Sequence, residues 1–357
     1  MNISDVAYVV GGGTPDTTIS EYWDGKIQWF TPSEIGKSKY ISESERKITQ
    51  SGLDNSSAKI LPQGAILLST RATIGECSIA LKECSTNQGF QSLISKNNYN
   101  SEFVYYLMQT KKKELKRNAC GSTFLEISAN EVRKIKCRVP KITEQNKISQ
   151  LLSLIDQRIA TQNKIIKDLK KLKVAIRDKQ LNAIRKHYGL NYQICDLLDY
   201  EQPTKYVVTD TEYSDDISKT PVLTANKAFI LGYTNETFGV YDKGKCIILD
   251  DFTLDCKYVD FPFKVKSSAI KILTVKNGYS LRYVYEYLNY LNLETTEHKR
   301  HYISEMGPMM IAYPTDKKKI DDFNNMMSSL ESKIEIENKY LQSLLAQKFY
   351  LLSNMFI

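Results

Sequence analysis

The chain has 357 residues, of which 42% are hydrophobic and 25% charged, and it carries 49 Lys and Arg against 41 Asp and Glu. This is the composition of a soluble globular protein with room for two domains, and the net charge of +8 allows a polyanionic partner without requiring one. No stretch is apolar enough to span a bilayer and the N-terminus lacks a signal pattern, so the sequence predicts a cytoplasmic protein. The seven cysteines, without a CxxC pair, indicate reduced core residues rather than a disulfide framework.

Residues 1–140 are predicted to form a first mixed domain. Short β-rich runs at 6–10, 65–68 and 92–94 lie between clusters of Gly, Pro, Asn and Ser, and a helix is expected at 102–116. Three consecutive glycines, Gly11 to Gly13, fit neither the phosphate-loop nor the GxGxxG pattern and are interpreted as a tight turn. The basic run at 111–117 is open to two interpretations, a solvated helix end or an edge that contacts phosphates.

Residues 141–187 are predicted to form one long amphipathic helix with a coiled-coil seam. Heptad position a is occupied by Ile148, Ile155, Gln162, Leu169 and Ile176, of which Gln162 alone is polar. Leu151, Ile165 and Leu172 are assigned to position d, and Leu152, Ile159 and Ile166 widen the apolar stripe. The segment contains neither Pro nor Gly, and at about 1.5 Å per residue it would extend about 60 Å. Such a helix needs a partner for its apolar stripe.

Residues 188–314 are predicted to form a second mixed domain. Strands are expected at 246–249, 257–259, 263–265 and 269–275, and a helix at 281–291. A basic, aromatic loop at 297–302 takes the place of the small-residue loop 119–123 of the first domain.

Two sets of possible metal ligands lie in this second domain. His298 and His301 are three residues apart but have no further ligands at zinc-like spacing, so no metal site is predicted. A stand-alone Mg²⁺-dependent DNA endonuclease is an alternative, with a site made of Asp250, Asp251, Asp255 and Lys257. An acidic turn between strands is the favoured interpretation, and the first domain has no matching carboxylates.

Residues 315–357 are predicted to form a second long helix that repeats the first. Its a positions are shifted by a constant 175 residues (323 − 148) and are Phe323, Leu330, Glu337, Leu344 and Leu351. Ile3-Ser-Asp-Val resembles Ile194-Cys-Asp-Leu, so the repeat extends over the chain. The predicted fold class is α+β: two mixed α/β domains joined by two long antiparallel helices that form a coiled coil, as an internal repeat with a pseudo-twofold axis. Gln162 and Glu337, the polar a residues, are expected to fix the register.

Several motifs resemble those of one protein family. In the first domain they are Gly11-Gly-Gly-Thr-Pro, Trp29-Phe-Thr-Pro-Ser-Glu-Ile, Leu61-Pro-Gln-Gly, Ser69-Thr-Arg-Ala-Thr-Ile-Gly and Asn87-Gln-Gly-Phe. In the second they are Pro221-Val-Leu-Thr-Ala-Asn-Lys, Phe261-Pro-Phe-Lys-Val-Lys-Ser-Ser and His298-Lys-Arg-His-Tyr-Ile-Ser. In this order they resemble, over essentially the full chain, the specificity subunit of type I restriction-modification systems. The second helix departs from the family because it opens with Thr315-Asp-Lys-Lys-Lys, where the family often has Glu-Gln.

The resemblance implies a non-catalytic subunit with two target recognition domains, each of which reads one half of a bipartite sequence in double-stranded DNA. The helices would act as a spacer and as a docking surface for two methyltransferase subunits, and restriction subunits would join that core. The family's complex uses S-adenosylmethionine, ATP and Mg²⁺, and the resemblance implies that other subunits bind all three. A coiled-coil scaffold without nucleic acid is a further alternative.

The residues that contact DNA are predicted among the polar and basic side chains of the matched loops. In the first domain they are Lys37, Ser69, Thr70, Arg71, Gln88, Ser122 and Thr123. In the second domain they are Thr224, Asn226, Lys227, Lys299, Arg300 and His301. Arg71 and Arg300 are the preferred base readers, because an Arg side chain can bind two acceptors of guanine at once.

Overall fold

A computed structural model describes residues 1–121, 125–225, 228–293, 295 and 299–356. The chain divides into two units, the first made of Met1–Asn163 with Lys339–Ile357 and the second of Lys164–Asn338. Both boundaries fall inside a long helix, so each unit contains one section of each long helix. Within the described ranges, no helix is both long enough and apolar enough to cross a membrane.

The helices and strands follow one another in mixed order along the chain. The α-helices are α1 (Ile3–Val6), α2 (Gln50–Asp54), α3 (Ser101–Thr110), α4 (Lys112–Arg117), α5 (Ala129–Lys134), α6 (Ile142–Tyr188), α7 (Ile194–Leu197), α8 (Leu281–Leu291) and α9 (Lys317–Met355). The strands are β1 (Ala7–Gly11), β2 (Trp23–Phe30), β3 (Tyr40–Ile41), β4 (Arg46–Ile48), β5 (Ile66–Leu68), β6 (Cys77–Ala80), β7 (Cys84–Thr86), β8 (Gln91–Ser95), β9 (Tyr192–Gln193), β10 (Leu198–Glu201), β11 (Thr220–Leu223), β12 (Ile230–Thr234), β13 (Cys246–Asp250), β14 (Cys256–Val259), β15 (Lys264–Val265), β16 (Ile270–Val275) and β17 (Met310–Ile311). A π-helical turn covers Tyr302–Met306.

The first unit is built around β5, which lies inside a sheet of order β1-β8-β5-β6-β3. Consecutive strand residues point to opposite faces, and all three residues of β5 are buried, so both faces of the sheet are covered. Ile66 and Leu68 face the core that contains α3, whereas Leu67 faces a second core with Phe30 and Phe90. A smaller sheet of order β4-β2-β7 accompanies the larger one.

The second unit repeats this topology. Its larger sheet has the order β10-β16-β13-β14, and these strands pair antiparallel as β1, β8, β5 and β6 do. In the smaller sheets, β11 pairs antiparallel with β12 and parallel with β15, just as β2 pairs with β4 and β7. The sequence repeat therefore corresponds to a repeated arrangement of strands.

Most of the predicted elements are confirmed, with small shifts in their ends. The helix predicted at 281–291 is α8, and the predicted strands at 65–68, 92–94, 246–249 and 269–275 match β5, β8, β13 and β16. The single helix predicted at 102–116 is divided into α3 and α4. The division falls at Lys111, whose ψ of 0° ends the first helix.

In each unit the sections of the two long helices run antiparallel. In the first unit Ile148 and Leu152 of α6 lie in the same core as the C-terminal residues Leu351, Leu352, Met355 and Phe356. Asp156 forms an ion pair with Lys348, with 2.7 Å between Oδ1 and Nζ. In the second unit Leu181 and Ile184 share a core with residues at the start of α9, and Lys173 Nζ lies 3.4 Å from a Glu331 carboxylate oxygen. In both units later residues of α6 meet earlier residues of α9.

The buried stripe of the long helices follows the residues assigned to position a but not those assigned to d. All ten a residues are buried or half-buried. Leu151, Ile165 and Leu172, which were assigned to d, are 42%, 40% and 47% exposed, whereas Leu152 and Ile166 are buried. At Leu152 and Ile166 the inward position therefore lies four residues after a rather than three. The prediction of d was wrong because the sequence is apolar at both places, as in Leu151-Leu152 and Ile165-Ile166.

Leu344→Ala should lower the free energy of unfolding by about 2–5 kcal/mol, because a side chain that is 3% exposed leaves a cavity. The matched control is Leu345→Ala in the same turn of α9, where the side chain is 41% exposed and the loss should stay below about 1 kcal/mol. Urea denaturation of the full chain measures both variants. Equal losses in the two variants would contradict the assignment of the buried stripe.

Candidate nucleic-acid interface

In the first unit, three segments meet where β5 ends. Thr70, two residues after β5, donates its backbone N–H and its hydroxyl to the carbonyl of Gly89, at 2.8 and 3.1 Å. The backbone N–H of Ile127 donates to the carbonyl of Thr70 at 3.2 Å. We call this meeting point the first junction (residues 69–71, 87–90 and 126–128). It brings four predicted residues together, at positions 69, 70, 71 and 88.

Two of these four residues hold the junction together and do not face solvent. Ser69 and Thr70 are fully buried. The Ser69 hydroxyl donates to the carbonyl of Arg71 at 2.8 Å, and the Thr70 hydroxyl is used by Gly89. Because neither hydroxyl can reach a DNA base, the prediction that they contact DNA is corrected: they position the residues beside them.

Arg71 and Gln88 are the accessible side chains of the first junction. Arg71 Nη2 lies 2.8 Å from Glu126 Oε2, and the two side chains are 44% and 36% exposed. An exposed pair of this kind is weak, so the guanidinium can exchange the carboxylate for a phosphate or a base edge. Gln88 is exposed and accepts a hydrogen bond from the Thr14 hydroxyl. Lys37 is also exposed, but it lies on a separate segment that is tied to Ser78 through the N–H of Gly36.

The glycine cluster beside this junction serves close packing, which corrects its interpretation as a tight turn. Gly11 is the last residue of β1. A Cβ on Gly12 would lie 2.1 Å from the Asn87 carbonyl, and one on Gly13 would lie 2.3 Å from the Ala58 nitrogen. The Gly13 carbonyl also accepts the indole N–H of Trp29 at 2.9 Å. Side chains are excluded because the backbone itself touches the segment that carries Gln88.

The second unit has an equivalent junction where β13 ends. The backbone N–H of Asp251 donates to the Ala269 carbonyl at 2.9 Å, and the N–H of His301 donates to the Asp251 carbonyl at 3.0 Å. These bonds correspond to those of Thr70 in the first unit. We call this place the second junction (residues 250–251, 269 and 299–302).

Lys299 and Arg300 are exposed at the second junction, whereas His301 is buried. The two ring nitrogens of His301 lie 2.7 Å from the Thr295 hydroxyl and 2.7 Å from a Glu305 carboxylate oxygen. The other oxygen of Glu305 lies 2.8 Å from Lys299 Nζ. Hydrogen bonds from Lys299 and His301 hold the pKa of Glu305 below its usual value. His301 is therefore a supporting residue and not the DNA contact that was predicted.

The carboxylates proposed for a nuclease site have structural partners. Asp250 Oδ1 accepts the backbone N–H groups of Phe252 and Thr253 at 2.9 and 3.0 Å, which makes a tight acidic turn. Asp251 is 1% exposed, accepts the N–H of Tyr302 at 2.8 Å and lies 3.5 Å from Lys271. In the part of the chain that the structure describes, no group of three His, Cys, Asp or Glu side chains is arranged to hold a metal ion. This geometry does not favour the endonuclease alternative.

The remaining predicted residues lie away from the two junctions or outside the described residues. Thr224 is half-buried at the end of β11 in the smaller sheet, where its N–H donates to the Phe229 carbonyl at 3.0 Å. Ser122, Thr123, Asn226 and Lys227 lie outside the described residues.

Sequence reasoning missed a buried ion pair in the smaller sheet of the second unit. Lys264 is 0% exposed, and its Nζ lies 2.8 Å from Glu236 Oε2 and donates to the Phe238 carbonyl at 2.8 Å. Burial alone would raise the pKa of Glu236, but hydrogen bonds from Lys264 and Thr209 outweigh it and lower this pKa to about 2. The sequence does not reveal the pair, because a Lys between two apolar residues predicts an alternation of buried and exposed side chains. In the structure Phe263, Lys264 and Val265 are all buried.

Comparison with known proteins adds to this geometry. Residues 1–171 match the family of type I restriction modification DNA specificity domains. The first half of the chain is therefore similar to that family. Over 174 residues it is 40% identical to the type I restriction enzyme MjaIX specificity subunit of Methanocaldococcus jannaschii. The aligned region covers 48% of this chain and 40% of that protein. Over 125 residues it is 50% identical to the EcoR124I/EcoR124II specificity subunit of Escherichia coli, which covers 33% of this chain and 31% of that protein.

The chain thus spans less than half the length of these curated relatives. Its fold is similar along the whole chain to the crystal structure of the type I restriction-modification S subunit from M. genitalium, with a TM-score of 0.61 over 100% of this chain and 95% of that one. The identity is 16%, so this similarity concerns the fold alone. The first junction lies within the residues that match the DNA specificity domain.

Glu126→Gln should strengthen binding of the chain to duplex DNA, because it releases Arg71 from its ion pair. The slope of log K against log salt concentration should steepen by up to about one unit, as expected for one more free cation at the interface. The matched control is Glu131→Gln, which releases Lys134 from a similar pair at 2.9 Å outside the first junction. Fluorescence anisotropy of a labelled duplex measures both, and an equal response in the two variants would contradict a DNA-facing Arg71.

Proposed function

We propose that the chain is the non-catalytic DNA-specificity subunit of a type I restriction-modification complex, and that it recognises a bipartite sequence in double-stranded DNA. The observation that carries this proposal is the pair of equivalent junctions. Each copy of the domain ties one loop to the end of its central strand by the same backbone bonds, but the exposed side chains differ: Arg71 in the first unit, Lys299 and Arg300 in the second. A common framework with different outward residues is what two domains that read different half-sites require.

Arg71 and Arg300 are the proposed base readers. A guanidinium can donate two parallel hydrogen bonds to O6 and N7 of guanine in the major groove, whereas a Lys ammonium lacks this planar geometry. Lys299, Lys37 and Gln88 are exposed and suit contacts to phosphate or sugar, which fix the register of a domain on the duplex. Repeated phosphate contacts of this kind make binding steeply dependent on salt.

The long helices are proposed to form an antiparallel coiled coil that carries the two recognition domains at its opposite ends, related by a pseudo-twofold axis. Two observations support this arrangement: the helix sections run antiparallel in each unit, and both helices continue from one unit into the other. Gln162 is 4% exposed in the stripe, and Glu337 is paired with Lys333 at 2.6 Å. That these two polar residues set the register of the helices stays a prediction.

The partners are proposed to be two methyltransferase subunits, to which restriction subunits are added. Leu151, Ile165 and Leu172 support a docking role for the helices, because these apolar side chains are exposed at heptad spacing although the stripe of the chain itself does not use them. S-adenosylmethionine, ATP and Mg²⁺ are proposed to be bound by the partner subunits and not by this chain. The alternative of a coiled-coil scaffold that binds no nucleic acid does not account for the exposed basic side chains at both junctions.

The paired variants Arg71→Ala and Arg300→Ala test the division between the two domains. The chain is reconstituted with its methyltransferase subunit, and methylation of a randomised bipartite DNA library is sequenced. Each variant should lose about 1–3 kcal/mol of discrimination at one position of one half-site, and the two variants should affect different half-sites. Relaxation of both half-sites by one substitution would contradict separate reading, and a uniform loss on all sequences would reassign that Arg to phosphate.

A further inference from the structure

A buried ion pair lies beneath the exposed loop of the second junction. Asp251 and Lys271 are each 1% exposed, and Asp251 Oδ2 lies 3.5 Å from Lys271 Nζ. Removing two charges from water is strongly unfavourable unless further hydrogen bonds satisfy them. The place where those further bonds are made therefore indicates what the pair supports.

The carboxylate of Asp251 holds the residues that directly follow Arg300. Its Oδ1 accepts the backbone N–H of Tyr302 at 2.8 Å and that of His301 at 3.2 Å. The backbone carbonyl of Asp251 accepts the same His301 N–H at 3.0 Å. These amides begin the π-helical turn Tyr302–Met306, where helical partners for the N–H groups are absent. One buried side chain thus fixes the backbone on the C-terminal side of Arg300.

The carboxylate is an addition to the junction that both units share. In the first unit the corresponding residue is Thr70, whose backbone carbonyl accepts the Ile127 N–H at 3.2 Å while its side chain turns to Gly89. The common topology therefore needs the backbone bond but not a carboxylate at this position. Asp251, directly after β13, and Lys271, on β16, therefore form a side-chain contact that is particular to the second unit.

Around Arg300 the neighbouring side chains are engaged. Lys299 and His301 both contact Glu305, at 2.8 and 2.7 Å. Arg300 is exposed, and among the described residues it has no carboxylate within ion-pair distance. A bidentate contact to a base needs the guanidinium to be held within about 0.5 Å of its productive position, whereas a phosphate contact tolerates a loose side chain.

We propose that Asp251, whose buried charge is balanced by Lys271, is a positioning residue that sets the backbone of residues 300–302 so that Arg300 can read a base in the second half-site. This inference rests on the proposed function. It replaces the interpretation of Asp251 as a metal ligand with a role in DNA specificity. The acceptor oxygen fixes the loop, and the charge of Lys271 offsets the charge of the buried carboxylate.

Two double variants separate the acceptor from the buried charge. Asp251→Asn with Lys271→Met keeps an acceptor oxygen, and Asp251→Leu with Lys271→Met removes it, while neither variant leaves an unpaired buried charge. In the methylation library assay, the first should keep discrimination within about twofold of wild type. The second should lose about tenfold at the position that Arg300→Ala relaxes, with the first half-site unchanged.

Hydrogen exchange of the backbone amides supplies the second measurement. In the variant that lacks the acceptor, His301 and Tyr302 should lose protection while β13 and β16 keep theirs. Loss of protection in the two strands would overturn the proposal, because the carboxylate would then support the sheet and not the loop. Equal discrimination by the two double variants would overturn it as well. If wild type itself discriminates at neither half-site, the proposed function fails instead.

Discussion

The backbone hydrogen bond from a loop to the end of the central strand is the constraint on which both units depend. It joins Ile127 to Thr70 in the first unit and His301 to Asp251 in the second. In each case the central strand is buried on both faces, so the bond joins the loop to the buried centre of the unit. The chain then continues from this loop towards a long helix. One bond thus connects the loop to the sheet, while the chain that follows the loop leads to the helix.

In the second unit, buried ion pairs hold loop segments that the hydrogen bonds of the sheets do not reach. Lys264 and Glu236 join the segments around Thr209 and Phe238, and Lys271 and Asp251 hold the start of the turn after Arg300. A buried ion pair is weak evidence for stability, because desolvation offsets much of the attraction. Its geometric effect is clearer: each carboxylate accepts backbone N–H groups from a loop. The first unit achieves the equivalent tie with neutral groups, through Thr70 and Gly89.

The positions of helices and strands follow from the periodicity of the sequence and were predicted. The side chain that faces inward was not predicted where two adjacent residues are both apolar. Seven-residue spacing located the long helices and the buried a residues, and strand-length apolar runs located β5 and β13. The second inward position was assigned wrongly, because Leu151 and Leu152 are adjacent and equally apolar, and only packing decides which of them faces inward. A single sequence does not distinguish between these two residues.

The candidate site was predicted by segment but not by side chain. The matched motifs placed the right loops together, since residues 69–71 and 88 meet at the first junction. The prediction that Ser69, Thr70 and His301 contact DNA was wrong because a polar residue in a loop is expected to be exposed. These side chains instead form hydrogen bonds with Arg71, Gly89 and Glu305. Such bonds join residues distant in sequence or depend on a rotamer. Neither follows from residue type, and the role of Asp251 was hidden for the same reason.

As proposed, this one chain gives a methyltransferase a two-part DNA specificity. The most direct measurement is to sequence the methylated positions of genomic DNA that has been modified by the methyltransferase subunit reconstituted with the wild-type chain. We expect one bipartite motif, with two specified parts separated by a fixed number of unspecified base pairs. A single continuous motif, or methylation without sequence preference, would contradict it.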